Sequence, residues 1–351
     1  MAFKNLENKE ILISVARLHD FGGSEITSLE LIDYFLQIKC KVSIATFDCN
    51  KKFLDYFKKK NVTFYNLLDS APFQNKKIFE LGWIHHSVTA YKLMLNENVT
   101  FKKVIFSSLS FFEPIESPPI SSIPFDLYLV NSAENYNFYK KNYPAFHHKT
   151  LLYPNPAPSR FWELKRANNK ILKNIAVISN HIPIEIHESV YTLRSEGFNV
   201  DIYGFAGLVT RINPQIIGKY DAVISIGKTV QYCIATKTPI YCYDRFGGDG
   251  WLTKKNFNRN MQFNFSGRGG EGSKSSKVIC GEIKNGYTTA LDDINYLHTY
   301  CKKLFVLEDL VSTIINFILN KKNKRKLEIN CTDRNLMLRQ NLIYQNQKKF
   351  S

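Results

Sequence analysis

The sequence lacks most of the signatures that would decide a function at once. No C-x-x-C pair occurs, and the seven cysteines are odd in number and scattered from Cys40 to Cys331. That argues against a disulfide framework and against a structural zinc site. No uncharged apolar stretch reaches spanning length, and the amino end, MAFKNLENKE, is charged where a secretory leader is apolar. The expectation is a cytoplasmic chain without a transmembrane helix. No G-x-G-x-x-G follows the first apolar run, which argues against a nicotinamide dehydrogenase. H-E-x-x-H and G-x-S-x-G are missing as well. Gly227-Lys228-Thr229 is not a nucleotide-hydrolysing P-loop, because Ala222 stands where that motif needs its first glycine.

What is present is length, apolar content and positive charge. With 351 residues, 44% of them hydrophobic, the chain is long enough for two domains, each with its own core. The net charge of +16 favours anionic partners, although a lysine- and asparagine-rich composition alone accounts for part of it. Residues 321–351 carry nine Lys/Arg against Glu328 and Asp333, which makes this tail either a membrane-contact surface or a solvated face.

Two rounds of alternating strand and helix patterns follow one another. Ile11 to Ala16 reads as a buried strand, Phe21 to Glu25 as a glycine loop, and Ile26 to Leu36 as an amphipathic helix. Strands at Lys41 to Phe47 and Val62 to Tyr65 complete a βαβαβ opening with parallel strands. Further strands are expected at Ile78 to Ile84, ending in His85-His86, then at Val104 to Ser107 and Phe125 to Asn131. Three prolines in five residues (Pro154, Pro156, Pro158) mark a hinge. The pattern restarts with Asn174 to Ser179, a helix over Ile184 to Glu196, a strand at Asn199 to Tyr203 and a short helix over Arg211 to Ile217. The buried run Asp221 to Ile226 then feeds a helix through Gly227-Lys228-Thr229. After a strand at Pro239 to Tyr243, Phe246 to Gly250 reads as a glycine-rich turn. Residues 264–281 read as a flexible loop, and Leu307 to Leu319 as a last helix. The boundaries expected are 1–153, 154–320 and a basic tail of 321–351.

The candidate site residues follow from this placement. At a strand-to-helix turn, unpaired N–H groups and the helix dipole attract an anion, and Lys228 adds a full charge beside Gly227 and Thr229. Asn180 and His181 end the first strand of the second half, and Gly247, Gly248 and Asp249 follow its fourth. Arg268, among glycines, could reach a diphosphate. In the first half, Gly22, Gly23 and Ser24 form the glycine loop, and Glu25, His85 and His86 are the acid/base candidates.

The motifs GGSE (Gly22 to Glu25), WIHHS (Trp83 to Ser87), VNSAE (Val130 to Glu134), YPNP (Tyr153 to Pro156), SNHIPIE (Ser179 to Glu185), YDAVISIGKTVQY (Tyr220 to Tyr232), YCYDRFGGDGWL (Tyr241 to Leu252) and NFSGRGG (Asn264 to Gly270) resemble GT-B glycosyltransferases of bacterial surface-polysaccharide biosynthesis, GT4-like in type. The resemblance implies an α/β fold of two Rossmann-like domains facing across a cleft, with the nucleotide sugar on the second and the acceptor on the first. It further implies that Lys228, Thr229 and Arg268 contact the diphosphate, that Tyr243 and Asp244 lie near base or ribose, and that His85 or His86 faces the transferred sugar. The chain departs from the retaining pattern of two glutamates seven residues apart, since none stands between Lys228 and Asp244. Retention or inversion is therefore left open. The expected activity is transfer from a UDP- or GDP-sugar to a surface glycan, lipid-linked in one version, without metal or further cofactor and without nucleic acid. The tail would rest on the inner face of the plasma membrane. The alternative from another class is a catalytically silent partner of the same fold that binds glycan or protein.

Overall fold

The computed structural model describes residues 6–119, 125–166, 169–270 and 272–320. Contacts divide them into two compact units: residues 6–131, 135–152 and 311–320 form unit 1, and residues 132–134 and 153–310 form unit 2. Among the described residues no helix is long and apolar enough to cross a membrane.

In chain order, unit 1 contains β1 (Glu10–Ser14), β2 (Arg17–Leu18), α1 (Gly23–Gln37), β3 (Lys41–Thr46), β4 (Asp48–Cys49), α2 (Lys51–Lys59), β5 (Thr63–Asn66), β6 (Lys77–Ile84), α3 (Ser87–Met94), β7 (Val99–Ser108), β8 (Leu127–Val130), most of α4 (Ala133–Asn142) and β9 (Thr150–Leu152). The large sheet runs β5-β3-β1-β6-β7-β8-β9, with every pairing parallel. β1 and β8 are buried along nearly their whole length, as the continuous apolar runs predict for a sheet covered on both faces, and β6 and β7 are buried toward their carboxyl ends. One face packs Phe79, Phe101, Phe106, Phe125 and Tyr128 into a largely aromatic core.

Unit 2 contains α5 (Ser159–Trp162), β10 (Asn174–Ile178), α6 (Ile184–Ser195), β11 (Asn199–Tyr203), α7 (Pro214–Ile217), β12 (Ala222–Ser225), α8 (Lys228–Ala235), β13 (Ile240–Asp244), β14 (Gly247–Trp251), α9 (Phe257–Gln262) and α10 (Ser276–Phe305); α11 (Leu307–Asn320) begins here. The sheet order is β11-β10-β12-β13-β14, parallel except for β14. In both sheets the strand order reverses beside the first strand: between β1 and β6 in unit 1, and between β10 and β12 in unit 2. These are the switch points at whose carboxyl edge doubly wound sheets leave a crevice for ligand.

Two expectations fail. The glycine-rich Gly247 to Gly250 is a strand, β14, antiparallel to β13. Of the loop expected over residues 264–281, the last part opens the 30-residue α10, started by Ser275, whose side chain accepts from Val278 N. That helix buries Ile279, Ile283, Tyr287, Ala290, Ile294, Leu297 and Cys301, a stripe at helical spacing. The basic tail of 321–351 lies outside the described residues.

Candidate functional site

At the switch point of unit 2, β10 and β12 end side by side, and Ser225 Oγ donates to Ile178 O at 2.5 Å across them. The chain leaving β12 turns at Gly227, with φ 58° and ψ −134°. Side-chain-bearing residues avoid that region, so glycine is required by conformation, although a Cβ there would meet nothing within 4 Å. A Cβ on Gly227 would meet nothing within 4 Å and no side chain among the described residues caps α8, so the start of the helix presents its N–H groups to whatever lies in front.

The walls of this turn come from two distant segments of the same unit. Phe265 O accepts from Gly227 N at 3.0 Å. Asn155 Nδ2 donates to Asn264 Oδ1 at 2.9 Å, and Lys228 Nζ donates to Pro156 O at 2.9 Å. Asn155, Asn264 and Phe265 all have positive φ, of 47°, 54° and 52°. Three non-glycine residues held in the left-handed region around one turn store strain of about 1–3 kcal/mol each. Asn155 Oδ1 and Ser266 Oγ, both buried, have no hydrogen-bond partner among the described residues. A strained loop with orphaned polar atoms beside an uncapped helix start has the character of a ligand site.

The other second-half candidates divide. Asn180 and His181 follow β10 after Ser179, and Asp244 Oδ2 accepts from Ser179 Oγ at 3.1 Å. Burial pushes the Asp244 carboxyl above its ordinary value, against the bonds it accepts from Arg245 N and Ser179. Arg268 contacts Glu134, which belongs to the same unit, with Nε at 3.3 Å and Nη2 at 2.5 Å from the carboxylate. Tyr243 points elsewhere: its ring lies in the core, its hydroxyl donates to Glu185 at 2.8 Å and it accepts from Lys274 N. Gly247, Gly248 and Asp249 are not a ligand loop. A Cβ on Gly247 would lie 2.1 Å from Gly272 O and one on Gly248 2.0 Å from Cys242 O, so these glycines admit neighbouring backbone. Asp249 is held by Arg259 at 2.7 Å and Asn260 at 2.7 Å.

Unit 1 has its own switch point, and the paired histidines stand there, at the end of β6. His86 Nδ1 accepts from Ala16 N at 2.8 Å, just beyond β1, so a neutral ring carries its proton on Nε2, 3.8 Å from Glu116 Oε1. Glu116 Oε2 in turn accepts from Leu109 N at 2.8 Å. His85, fully buried, faces Ser107 O at 3.3 Å. The pair thus ties β6 to its two neighbouring strand ends. We expect His86→Ala to cost about 2 kcal/mol by stranding the Ala16 N–H, seen as an earlier urea midpoint.

Glu25 is folded back over its own loop. A Cβ on Gly22 would lie 2.2 Å from Glu25 Oε2, and the carboxylate faces His19 N and Asp20 N at 3.5 Å each. The anion position of the Gly22-Gly23-Ser24 loop is therefore taken by the chain's own carboxylate. Burial, the largest influence, raises the Glu25 pKa, while neighbouring N–H groups and Arg17 oppose it. The folded chain then holds a proton that the unfolded chain has released, so stability falls as pH rises from the ordinary value of 4.5 to the raised one. Glu25→Gln should flatten this slope, which denaturant titrations across that interval would measure.

Sequence reasoning missed Asn155, Asn264 and Phe265, whose positive φ has no signal in residue type beyond the two asparagines. Among the described residues no group of three or more His, Cys, Asp or Glu is placed to hold a metal.

No protein-family model matches the chain, and no curated protein matches it. Solved structures do. A glycosyltransferase from Rickettsia africae ESF-5 superposes with a TM-score of 0.54 at 12% identity, covering 90% of this chain and 100% of that one. A mutant of S. aureus TarM, in complex with fondaparinux, alpha-GlcNAc-glycerol and UDP, gives 0.56 at 9% identity, covering 89% and 100%. TcCGT1 in complex with UDP gives 0.51 at 8% identity, with the same coverage. The fold is GT-B. In the GT-B frame each Rossmann-like unit contributes one switch point, and the uncapped α8 start stands at that of unit 2.

Proposed function

We propose that this GT-B chain is a glycosyltransferase that moves a sugar from a nucleoside-diphosphate donor, UDP- or GDP-linked, to a surface-glycan acceptor. Unit 2 binds the donor and unit 1 the acceptor. The observation that carries the reading is Gly227, whose positive-φ turn opens an uncapped helix at the switch point of unit 2. The bound UDP named for two structures of the same fold supports this choice of ligand.

In this reading the diphosphate sits against the N–H groups of Lys228 and Thr229. Lys228 Nζ, bonded to Pro156 O, brings a full positive charge to a phosphate oxygen. Arg268 exchanges Glu134 for the departing diphosphate, and the two cations offset its charge in place of a divalent metal. The buried Asn155 Oδ1 and Ser266 Oγ are the polar groups a ligand or its water would satisfy. Asn180, His181 and Asp244 border the sugar or ribose. The tail of residues 321–351 adds attraction to an anionic leaflet of roughly 1 kcal/mol per well-placed charge.

The test is release of UDP or GDP from a panel of nucleotide sugars, with Lys228→Ala beside the unaltered protein. Loss of one charge-assisted phosphate contact should lower kcat/KM about 10- to 100-fold. An unaffected rate in a protein that turns over would remove Lys228 from the site.

A further inference from the structure

The loop after β11 displays apolar side chains that the fold does not use. Phe205, Ala206, Gly207, Leu208 and Val209 are all exposed, Phe205 to 54%, Leu208 to 61% and Val209 to 40%. A run of five exposed residues with no polar side chain among them has no packing role and marks a contact surface.

The shape of this loop is enforced. Gly204 has φ 119°, and a Cβ there would lie 2.0 Å from Ser179 O; one on Gly207 would lie 2.2 Å from Ile202 O. Both positions therefore need glycine, because neighbouring backbone occupies the space of a side chain. Gly204 N donates to Leu208 O at 3.2 Å, Leu208 N to Ile202 O at 3.0 Å and Gly207 N to Gly204 O at 3.0 Å, which closes the turn on itself. The His181 ring stands edge-on to Phe205, with centroids 6.1 Å apart. Ile184, three residues after His181, is exposed as well. Apolar groups held outward on a closed turn lose little further freedom on meeting a partner.

Size and charge together select the partner. Phe205, Leu208 and Val209 offer roughly 300 Å² of apolar surface, well short of the about 800 Å² per partner that a stable dimer buries. A bilayer needs no such area, since side chains enter the boundary between headgroups and acyl chains one by one. Between Asp201 and Asp221 the only charged side chains are Arg211 and Lys219, so nothing in this stretch repels anionic headgroups. β11 runs parallel to β10 and β10 to β12, so the loop leaves the same edge of the sheet as the Gly227 turn, two strands away.

We propose that residues 205–209 form an insertion loop that seats unit 2 on an anionic lipid bilayer. The contact is apolar, hence distinct from the electrostatic attraction of the basic tail, and it does not need the transferase reading. The test is flotation of the full chain with vesicles of phosphatidylcholine and phosphatidylglycerol at low and high salt. High salt screens the attraction of the tail and leaves an apolar contact in place, so binding should persist there. Phe205→Ser combined with Leu208→Ser should lower it at least tenfold at an unchanged melting temperature. Phe205→Trp reads insertion directly: its emission should move to the blue on binding and be quenched by lipids brominated in the acyl chain. Trp83, Trp162 and Trp251 are buried and supply a constant background. Binding that high salt abolishes, equal binding by the double variant, or Phe205→Trp emission that brominated lipid leaves unquenched would each overturn the proposal. So would emission that follows UDP or protein concentration and not vesicles, which would mark a nucleotide face or a contact between copies. Failure to turn over any nucleotide sugar would leave the expected lipid results unchanged, so the two readings fail separately.

Discussion

Gly227→Val is expected to fold and to bind UDP about a hundredfold more weakly than the unaltered protein. The size follows from the backbone. Valine at φ 58°, ψ −134° is strained by about 1–3 kcal/mol, and the turn relaxes toward negative φ to escape it. Relaxation re-aims the N–H groups of Lys228 and Thr229, each worth about 1.5 kcal/mol or more to a charged acceptor. Together these losses come to about 3 kcal/mol, and each 1.4 kcal/mol is a factor of ten in affinity. Because a Cβ at this position meets nothing within 4 Å, Gly227→Ala beside Gly227→Val separates the effect of the turn from any effect of the two added methyls. Calorimetric titration with UDP measures it; affinity within a factor of three of the unaltered protein would remove Gly227 from the site.

The largest loss of stability is expected from Asp221→Ala. This carboxylate, 2% exposed at the entry to β12, accepts from Lys173 N at 3.0 Å, Asn174 N at 2.7 Å and Asn169 Nδ2 at 2.6 Å. It fastens β12 to β10, the two strands whose far ends make the switch point. Alanine leaves two backbone N–H groups without their acceptor in a buried strand pair, at about 1–3 kcal/mol each, so a loss of about 4 kcal/mol is expected. Asp221→Asn keeps one acceptor and should lose about half as much. Urea denaturation followed by circular dichroism compares the two. Equal midpoints for Asp221→Ala and the unaltered protein would mean that the clamp does not hold the strands.

How far these features were legible in the sequence depends on whether their cause is local. The turn at Gly227 was legible because a buried run, a glycine and a helical apolar spacing lie next to one another, and each has a local physical meaning. The strand ends at His85 and at Asn180 were legible for the same reason. The role of Gly247 and Gly248 was not, because those glycines are set by Gly272 and Cys242 backbone approaching from elsewhere, and a glycine run with no partner in view reads as a turn. Helix α10 was hidden at its start by a serine- and glycine-rich composition, although its buried stripe from Ile279 to Cys301 has helical spacing and Ser275 stands at the cap position. The strained walls of the site, Asn155, Asn264 and Phe265, come together through contacts more than a hundred residues apart in sequence, which residue type alone does not encode. Glu25 stood out as an acid in a glycine loop, yet only coordinates reveal that its carboxylate occupies the loop itself.

The central claim is that a nucleoside diphosphate seats on the amino end of α8. Hydrogen–deuterium exchange with and without UDP tests it most directly. The account predicts slowed exchange at residues 226–230 and 264–266, with the carboxyl end of α10 unchanged. UDP binding that protects another surface, or no protection at residues 226–230 at millimolar UDP, would contradict it.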